Sequence, residues 1–219
     1  MASPGPVCFI GRVHCLVTAG PTIEPLDAVR RLTNHATGHL GCSLADSLAR
    51  AGHRVTLMLS ETARHQPRQN SVRILPFNTT DDLRRQLRAV ASPRIRAIFH
   101  TAAVSDFRLT NLRHDSGKKV SGGKIPSAPL VADLKPTPKI IRQLRRWFPR
   151  AFIAGWKFEV DGNRDTVLAR AHEQINQCHT DACVANGPAY GDGFGIVTPE
   201  EVRHVKSRRA LVRALTSAR

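Results

Sequence analysis

The sequence predicts an α/β fold: a Rossmann-like, mostly parallel sheet with helices on both faces, plus a small C-terminal hairpin and helix. Three observations predict it. Short apolar runs alternate with segments whose apolar residues fall at helical spacing. The longest run, from Ile95, is apolar without turn residues, as strands covered on both faces of a parallel sheet are. Small and polar residues such as Gly20, Asp106 and Asn186 follow the ends of runs, where open parallel sheets bind their ligands.

In chain order, Val13–Thr18 reads as the first strand, ending in the loop Ala19-Gly20-Pro21-Thr22. Leu40, Leu44, Ala45, Leu48 and Ala51 fall on one helical face, and Gly52 ends that helix. Val55–Leu59 and Val72–Leu75 are the second and third strands. Asp81–Val90 is helical with Thr80 as its N-cap, and Ile95–Val104 is the fourth strand. Arg108 to Ala128 breaks the pattern, with three lysines and Gly117, Gly122 and Gly123. This stretch reads as a long mobile loop, a kind that is usually functional inside a compact domain. Then follow Leu130–Leu134 (strand), Pro138–Phe148 (helix), Ala151–Phe158 (strand), Arg164–Gln177 (helix) and Asp181–Ala185 (strand, ending at Asn186). A hairpin over Gly195–Val205, turning at Pro199-Glu200-Glu201, and a helix near Arg208–Leu215 complete a single domain over residues 1–219.

Of the 219 residues, 41% are hydrophobic, enough for a packed core, which excludes a disordered or collagen-like chain. The 33 basic residues exceed the 17 acidic ones to give a net charge of +16. Such a surface attracts nucleic acid, anionic membrane or phosphorylated small molecules. The basic residues, 26 Arg and 7 Lys, are scattered and form no run of five, and no recognition-helix motif accompanies them. Nucleic acid is therefore not the expected partner. Cys8, Cys15, Cys42, Cys178 and Cys183 are odd in number and contain no CxxC pair, which reads as free thiols in a reducing cytosol rather than disulfides or a zinc site. Met1 to Ile10 lacks the charge and apolar core of a signal peptide, and no run approaches 18 apolar residues. A cytoplasmic protein without membrane attachment is expected, with no protein-held metal.

The residues suited to chemistry follow strands. Arg30, Asn34, Gly38 and Gly41 come after the first; Gly38 and Gly41 open a helix, where backbone N–H groups can face an anion. Thr101, Ala102, Ala103 and Asp106 come after the fourth, and Trp156, Lys157 and Glu159 lie further on. Small side chains there let a ligand reach the backbone. Lys124, in the polar loop, suits a phosphate clamp that grips and releases. Standard motifs fail. Gly123-Lys124 is followed by Ile125 and lacks the first glycine of a P-loop. No Gly-x-Gly-x-x-Gly follows the first strand, and the lone Tyr190 has no lysine four residues on.

Six segments, taken in order, resemble the phosphopantothenoylcysteine synthetase family. They are Val17-Thr18-Ala19-Gly20-Pro21-Thr22-Ile23-Glu24-Pro25 running on through Arg30 to Asn34-His35-Ala36-Thr37-Gly38-His39-Leu40-Gly41, then Ala102-Ala103-Val104-Ser105-Asp106-Phe107, Gly123-Lys124-Ile125, Pro136-Thr137-Pro138-Lys139-Ile140, Gly155-Trp156-Lys157-Phe158-Glu159 and Val184-Ala185-Asn186. The resemblance covers about residue 13 to residue 200. It implies a ligase of coenzyme A biosynthesis that joins 4′-phosphopantothenate to L-cysteine. The carboxylate attacks the α-phosphate of CTP or ATP, pyrophosphate leaves, and the cysteine amine then displaces the nucleoside monophosphate. Mg2+ would accompany the triphosphate.

By this resemblance Asn34, Lys124 and Arg30 are catalytic, with Asn34 on the activated carboxyl and Lys124 on the phosphates. Gly20, Gly38, Gly41 and Ala103 would bind substrate. Thr101, Ala102, Asp106, Pro138, Lys139, Ile140, Ile141, Trp156 and Asn186 would bind the nucleotide. The family also implies a homodimer formed through the sheet region.

Ala36 and Thr37 depart from the family's paired serines, removing one hydroxyl. Gln174 and Cys178 stand where the CTP-dependent bacterial enzymes carry lysines, and the segments at Pro138 and Trp156 look more like the ATP-using branch. The nucleotide is therefore open. With about a dozen residues before the first strand, a flavin-dependent decarboxylase half is not expected. Two alternatives remain: a basic nucleic-acid-binding protein and a reductase binding a nucleotide cofactor on the same fold.

Overall fold

The computed structural model describes residues 11–114, 116, 117, 119, 120, 123–125 and 127–216. Met1–Ile10, Lys118 and Gly122 lie outside the described residues. In chain order the elements are β1 (His14–Ala19), β2 (Ile23–Pro25), β3 (Arg31–Thr33), α1 (His39–Arg50), β4 (Arg54–Ser60), β5 (Arg73–Phe77), α2 (Thr80–Ala89), β6 (Ile95–His100), β7 (Phe107–His114), β8 (Leu130–Pro136), α3 (Ile141–Trp147), β9 (Phe152–Phe158), α4 (Arg164–Cys178), β10 (Ala182–Asn186), β11 (Phe194–Val197), β12 (Val202–Val205) and α5 (Arg208–Thr216).

One eight-stranded sheet runs in the order β12-β11-β10-β9-β6-β1-β4-β5. The six strands from β5 to β10 are parallel, and β11 and β12 continue antiparallel. Counted along the chain, the parallel strands follow the 3-2-1-4-5-6 order of doubly wound sheets, so the topological switch point lies between β1 and β6.

The strand period of two assigns side chains to faces. Cys15, Val17 and Ala19 of β1 pack with Leu44, Ala45 and Leu48 of α1 and Leu211 and Leu215 of α5. Leu16, between them, points the other way, into a core with Leu83 and Leu87 of α2 and Leu144 of α3. Helix α4 covers β10 and β11 through Val167, Ala171 and Ile175. Burial on both faces is why these strands are apolar throughout. The free thiols of Cys15, Cys42 and Cys183 lie in these cores and that of Cys178 is also buried; burial pushes Cys15 and Cys183 up to about 12.

Several boundaries differ from the expectation. The N-cap of α2 is Thr79, whose side chain accepts from the Asp82 N–H at 3.1 Å, not Thr80. Strand β6 ends at His100: the apolar run continues to Val104, but Thr101 N turns aside to bond Thr18 O and Ala103 N to bond Gly20 O. Helix α3 begins at Ile141 rather than Pro138. Residues Arg108–His114, read as mobile loop, fall in β7, which pairs antiparallel with β8 in a separate two-stranded sheet. Strand β8 contains the expected Leu130–Leu134 strand, whereas β7 lies in a ribbon outside the core and interleaves its leucines with Arg108, Thr110, Asn111 and Arg113. Hairpin β2–β3 escaped notice because its strands are three residues each, although Ile23 and Glu24 are buried. The C-terminal hairpin, expected as an appendage, is instead the edge of the main sheet.

The α1 helix can approach β1 because Gly41 has no side chain. A Cβ there would lie 2.4 Å from the Ala19 Cβ and 2.7 Å from the Thr101 hydroxyl. Gly41→Ala gains up to about 1 kcal/mol of helix propensity, but overpacking of about 1–3 kcal/mol opposes it. The expected outcome is a lowered urea midpoint with an unchanged slope; a raised midpoint would show that α1 can move off the strand without cost.

Candidate active site

A cleft of about 580 Å³ opens at the carboxyl ends of β6, β9 and β10, beside the switch point. Its floor is the 100–106 segment, held open by a compact set of hydrogen bonds. Buried Thr18 accepts at its carbonyl from Thr101 N (3.1 Å) and Thr101 Oγ1 (2.7 Å). Its hydroxyl accepts from Ala102 N at 3.2 Å and lies 2.9 Å from His100 Nδ1. The Thr22 N–H donates to Ala103 O, and the Ser105 N–H donates to Thr22 Oγ1 at 2.8 Å. Complete burial pulls His100 down to about 4, so its ring is neutral in the ordinary range.

Around this floor the cleft gathers ten of the sequence-predicted residues: Asn34, Thr101, Ala102, Ala103, Asp106, Lys139, Ile140, Ile141, Trp156 and Asn186. The Asn34 amide reaches across from the segment after β3 and donates to Val104 O at 3.1 Å. The Lys139 ammonium donates to the Asp106 carboxylate. Trp156 Nε1 and Asn186 Oδ1, on the neighbouring strands β9 and β10, are buried with no hydrogen-bond partner among the described residues. A buried donor and a buried acceptor left unpaired in a cleft are what a polar ligand satisfies.

The remaining predicted residues are not in the lining. Gly20 and Gly38 adopt positive φ (85° and 77°) and turn the chain beneath α1. Gly41 serves helix packing, as above. Pro138 precedes α3. Arg30 is committed elsewhere: its guanidinium donates to Ile125 O at 2.9 Å and contacts Asp27 at 3.3 Å. Ala28 N donates to Gly123 O at 2.9 Å and Ile125 N to Asp27 Oδ2 at 2.8 Å. The segment carrying exposed Lys124 is thus fastened to the β2–β3 hairpin, outside the cleft. Asp27 also accepts from the Val29 and Arg30 N–H groups, and these donors, Ile125 first, hold its carboxyl below the usual range.

Sequence reasoning missed His100, Ser105, Thr137 and Gln174 in the lining. His100 and Ser105 were hidden within or just beyond a strand drawn to Val104. Placing the strand end at the adjacent polar pair His100-Thr101 would have exposed His100. Gln174 reaches the cleft because Gly155 is bare; a Cβ on Gly155 would lie 2.5 Å from its Nε2.

Residues 11–213 match the family described as the DNA/pantothenate metabolism flavoprotein C-terminal domain. The chain belongs to this family. Among its relatives is the coenzyme A biosynthesis bifunctional protein CoaBC of Thermococcus kodakarensis, 30% identical over 172 residues, covering 78% of this chain and 40% of that protein. CoaBC of Bacillus subtilis is 30% identical over 186 residues, 84% of this chain and 43% of that protein. The chain therefore spans less than half the length of these curated relatives. The DNA/pantothenate metabolism flavoprotein of Streptococcus pneumoniae shares the fold with a TM-score of 0.80 at 25% identity, over 92% of this chain and 95% of that one. A Cab2 variant in complex with phosphopantothenate-cysteine has a TM-score of 0.68 at 19% identity, over 90% of this chain and 81% of that one.

The His100 environment predicts a pH dependence. Its folded pKa is depressed, so its contribution is present above the ordinary 6.5 and lost as pH falls toward about 4. Between pH 7 and pH 5 this amounts to about 2 kcal/mol of stability. Urea unfolding of wild type and His100→Gln at both pH values checks it: the variant's stability should vary distinctly less between them. Equal losses in both proteins would remove His100 as the source.

Proposed function

We propose that this chain is a phosphopantothenate–cysteine ligase acting in coenzyme A biosynthesis as one catalytic domain. The observation that carries the reading is the cleft itself. It sits at the switch point of a sheet of this family, with the free polar atoms of Trp156 and Asn186 at one side and Asn34 at the other. The curated relatives are bifunctional proteins of the same biosynthesis, which supports the substrate class.

In this reading the nucleoside triphosphate, CTP or ATP, lies along the 101–106 segment, where small side chains leave the backbone within reach. Trp156 Nε1 and Asn186 Oδ1 orient it. Asn34, whose Nδ2 donates to Val104 O at 3.1 Å and lies 3.5 Å from Ala103 O, can turn one amide proton to the phosphopantothenate carboxylate. Positioning the carboxylate in line with the α-phosphate accounts for much of the rate. L-cysteine then enters and its amine attacks the acyl carbon.

Asp106 is the single carboxylate in the lining, and Lys139 holds it. No group of three His, Cys, Asp or Glu side chains suited to a metal occurs among the described residues. That donor set fits a Mg2+ carried mainly by the triphosphate and water. Bound there, the ion would offset phosphate charge; the residues of this chain do the orienting.

Lys124 is the proposed phosphate clamp, delivered when the 123–125 segment leaves its Asp27 and Arg30 anchors. The apolar, exposed Phe107, Val131 and Leu134 of the β7–β8 ribbon offer a surface for the expected homodimer. No helix among the described residues is long and apolar enough to cross a membrane, and we place the reaction in the cytoplasm.

A pyrophosphate-release assay with 4′-phosphopantothenate, L-cysteine and Mg2+, run with CTP and with ATP, tests the reading. Release with one nucleotide that requires phosphopantothenate is expected; none with either would sink it. In the same assay Lys124→Ala should lose about tenfold or more in turnover while Lys119→Ala keeps it. Equal losses would deny Lys124 its role. Asp27→Ala should make the segment around Lys124 more open to trypsin, and unchanged digestion would show that the anchor does not hold it.

A further inference from the structure

We infer that the groove between α1, α5 and the 61–70 segment is a second anion site, built for a small molecule bearing two or more linked phosphates. The groove encloses about 570 Å³ and shares no lining residue with the active-site cleft. Five arginines line it, Arg50, Arg68, Arg208, Arg209 and Arg213, together with His39 and His65.

The charge there is unbalanced. Asp46 is the lone acid in the lining, and its Oδ1 already accepts from Arg68 N (2.8 Å) and Gln69 N (3.0 Å). Among the described residues no carboxylate lies within ion-pair distance of Arg50, Arg68, Arg208 or Arg209. The Ser47 and Thr216 hydroxyls meet at 3.2 Å at one end, and Arg208 donates to His39 Nδ1 at 2.7 Å at the other. The two helices therefore run side by side in the same direction, and their positive N-terminal ends lie together. Neither has an acidic residue in its first turn. The two helix N-termini and the guanidiniums of Arg208 and Arg68 crowd positive charge and repel one another beside the His39 and His65 rings, which stack at 4.2 Å. Partial burial first, and then the fields of Arg208, His65 and Arg68, hold His39 below its ordinary value. An anion would relieve this repulsion.

The groove is also fixed before any ligand arrives. Arg64 N donates to Thr37 O at 3.0 Å, Cys42 Sγ lies 3.3 Å from His65 O, and Asp46 ties down residues 68 and 69. From His39, which Arg208 contacts, to Arg50, the α1 face of the groove spans about 16 Å at 1.5 Å per residue. That length exceeds one phosphate and suits a chain of two or three. A concave site of this volume matches a small molecule. The lining has no Phe, Tyr or Trp on which the bases of a nucleic acid could stack.

The test is calorimetric titration of the full chain with sodium tripolyphosphate, read in parallel by histidine-ring NMR. Saturable binding should move the His39 and His65 resonances and raise the His39 pKa. Arg208→Ala/Arg209→Ala, and separately Arg68→Ala on another element, should weaken that event about tenfold or more while circular dichroism stays unchanged. Inorganic phosphate should bind more weakly than tripolyphosphate. Pyrophosphate-release turnover should be unaffected in Arg68→Ala, which keeps this inference separable from the ligase reading. Rings that do not move, variants that bind as wild type does, or equal affinity for phosphate would each overturn it. So would a random-sequence oligonucleotide that outcompetes tripolyphosphate for the groove, since the occupant would then be nucleic acid.

Discussion

Thr18 is a fully buried polar side chain at the end of the first strand, and its hydrogen bonds decide where the sheet opens. A buried hydroxyl and carbonyl must find partners, because leaving either unpaired costs about 1–3 kcal/mol. Here the partners are Thr101, Ala102 and His100, all at the end of β6. Satisfying Thr18 therefore stops β6 at His100 and turns the next residues across the mouth of the sheet. Those residues are the floor of the cleft. Their small side chains follow from the same geometry, since Thr101 must also fit against α1 where Gly41 gives way to it.

Much of this was legible from sequence because both halves of the signal are local. Apolar runs and helical spacing report burial on two faces, which is the condition of β1, β4, β6, β9 and β10. The site was legible where short strings that resemble the family coincide with strand ends: Thr101 to Asp106, Trp156 and Asn186 all meet in one cleft. Legibility failed where burial failed. Strand β7 lies in a ribbon outside the core, and β2 and β3 are only three residues each, so pairing, not periodicity, defines them. It failed again where a residue's role is set by a distant partner. Nothing near Arg30 in sequence indicates that its guanidinium is spent on Ile125 O, 95 positions away. Gln174 enters the cleft only because Gly155, on another element, leaves room.

The net charge of +16 divides unevenly over the molecule. Cations in the active-site cleft are paired: Lys139 with Asp106, and Lys157 with Glu159 at 3.2 Å. The α1–α5 groove is the opposite, with arginines crowded and acids absent or occupied. The excess charge therefore has a structural address away from the cleft: α1 lines the groove from His39 to Arg50 and lines none of the cleft.

Pairing in the active-site cleft has its own consequence for a ligase. A triphosphate entering it meets cations already bound to carboxylates, so it must displace Asp106 to engage Lys139. Helix α4 presents to this side of the site Gln174, whose Nε2 lies 3.1 Å from Cys183 Sγ, and Cys178. Neither supplies charge. The cations beside them come instead from Arg142, Lys157 and Arg170, which line a small adjoining cavity of about 210 Å³. On the ligase reading, phosphate charge is met by ion-pair exchange at Lys139, by these arginines and by Lys124 arriving from its tether. Each of those steps trades one electrostatic contact for another, so the net gain on binding is small while the geometry is tightly specified. Such a site favours the ligand whose phosphates reach all three positions at once, and discriminates against a monophosphate that reaches one.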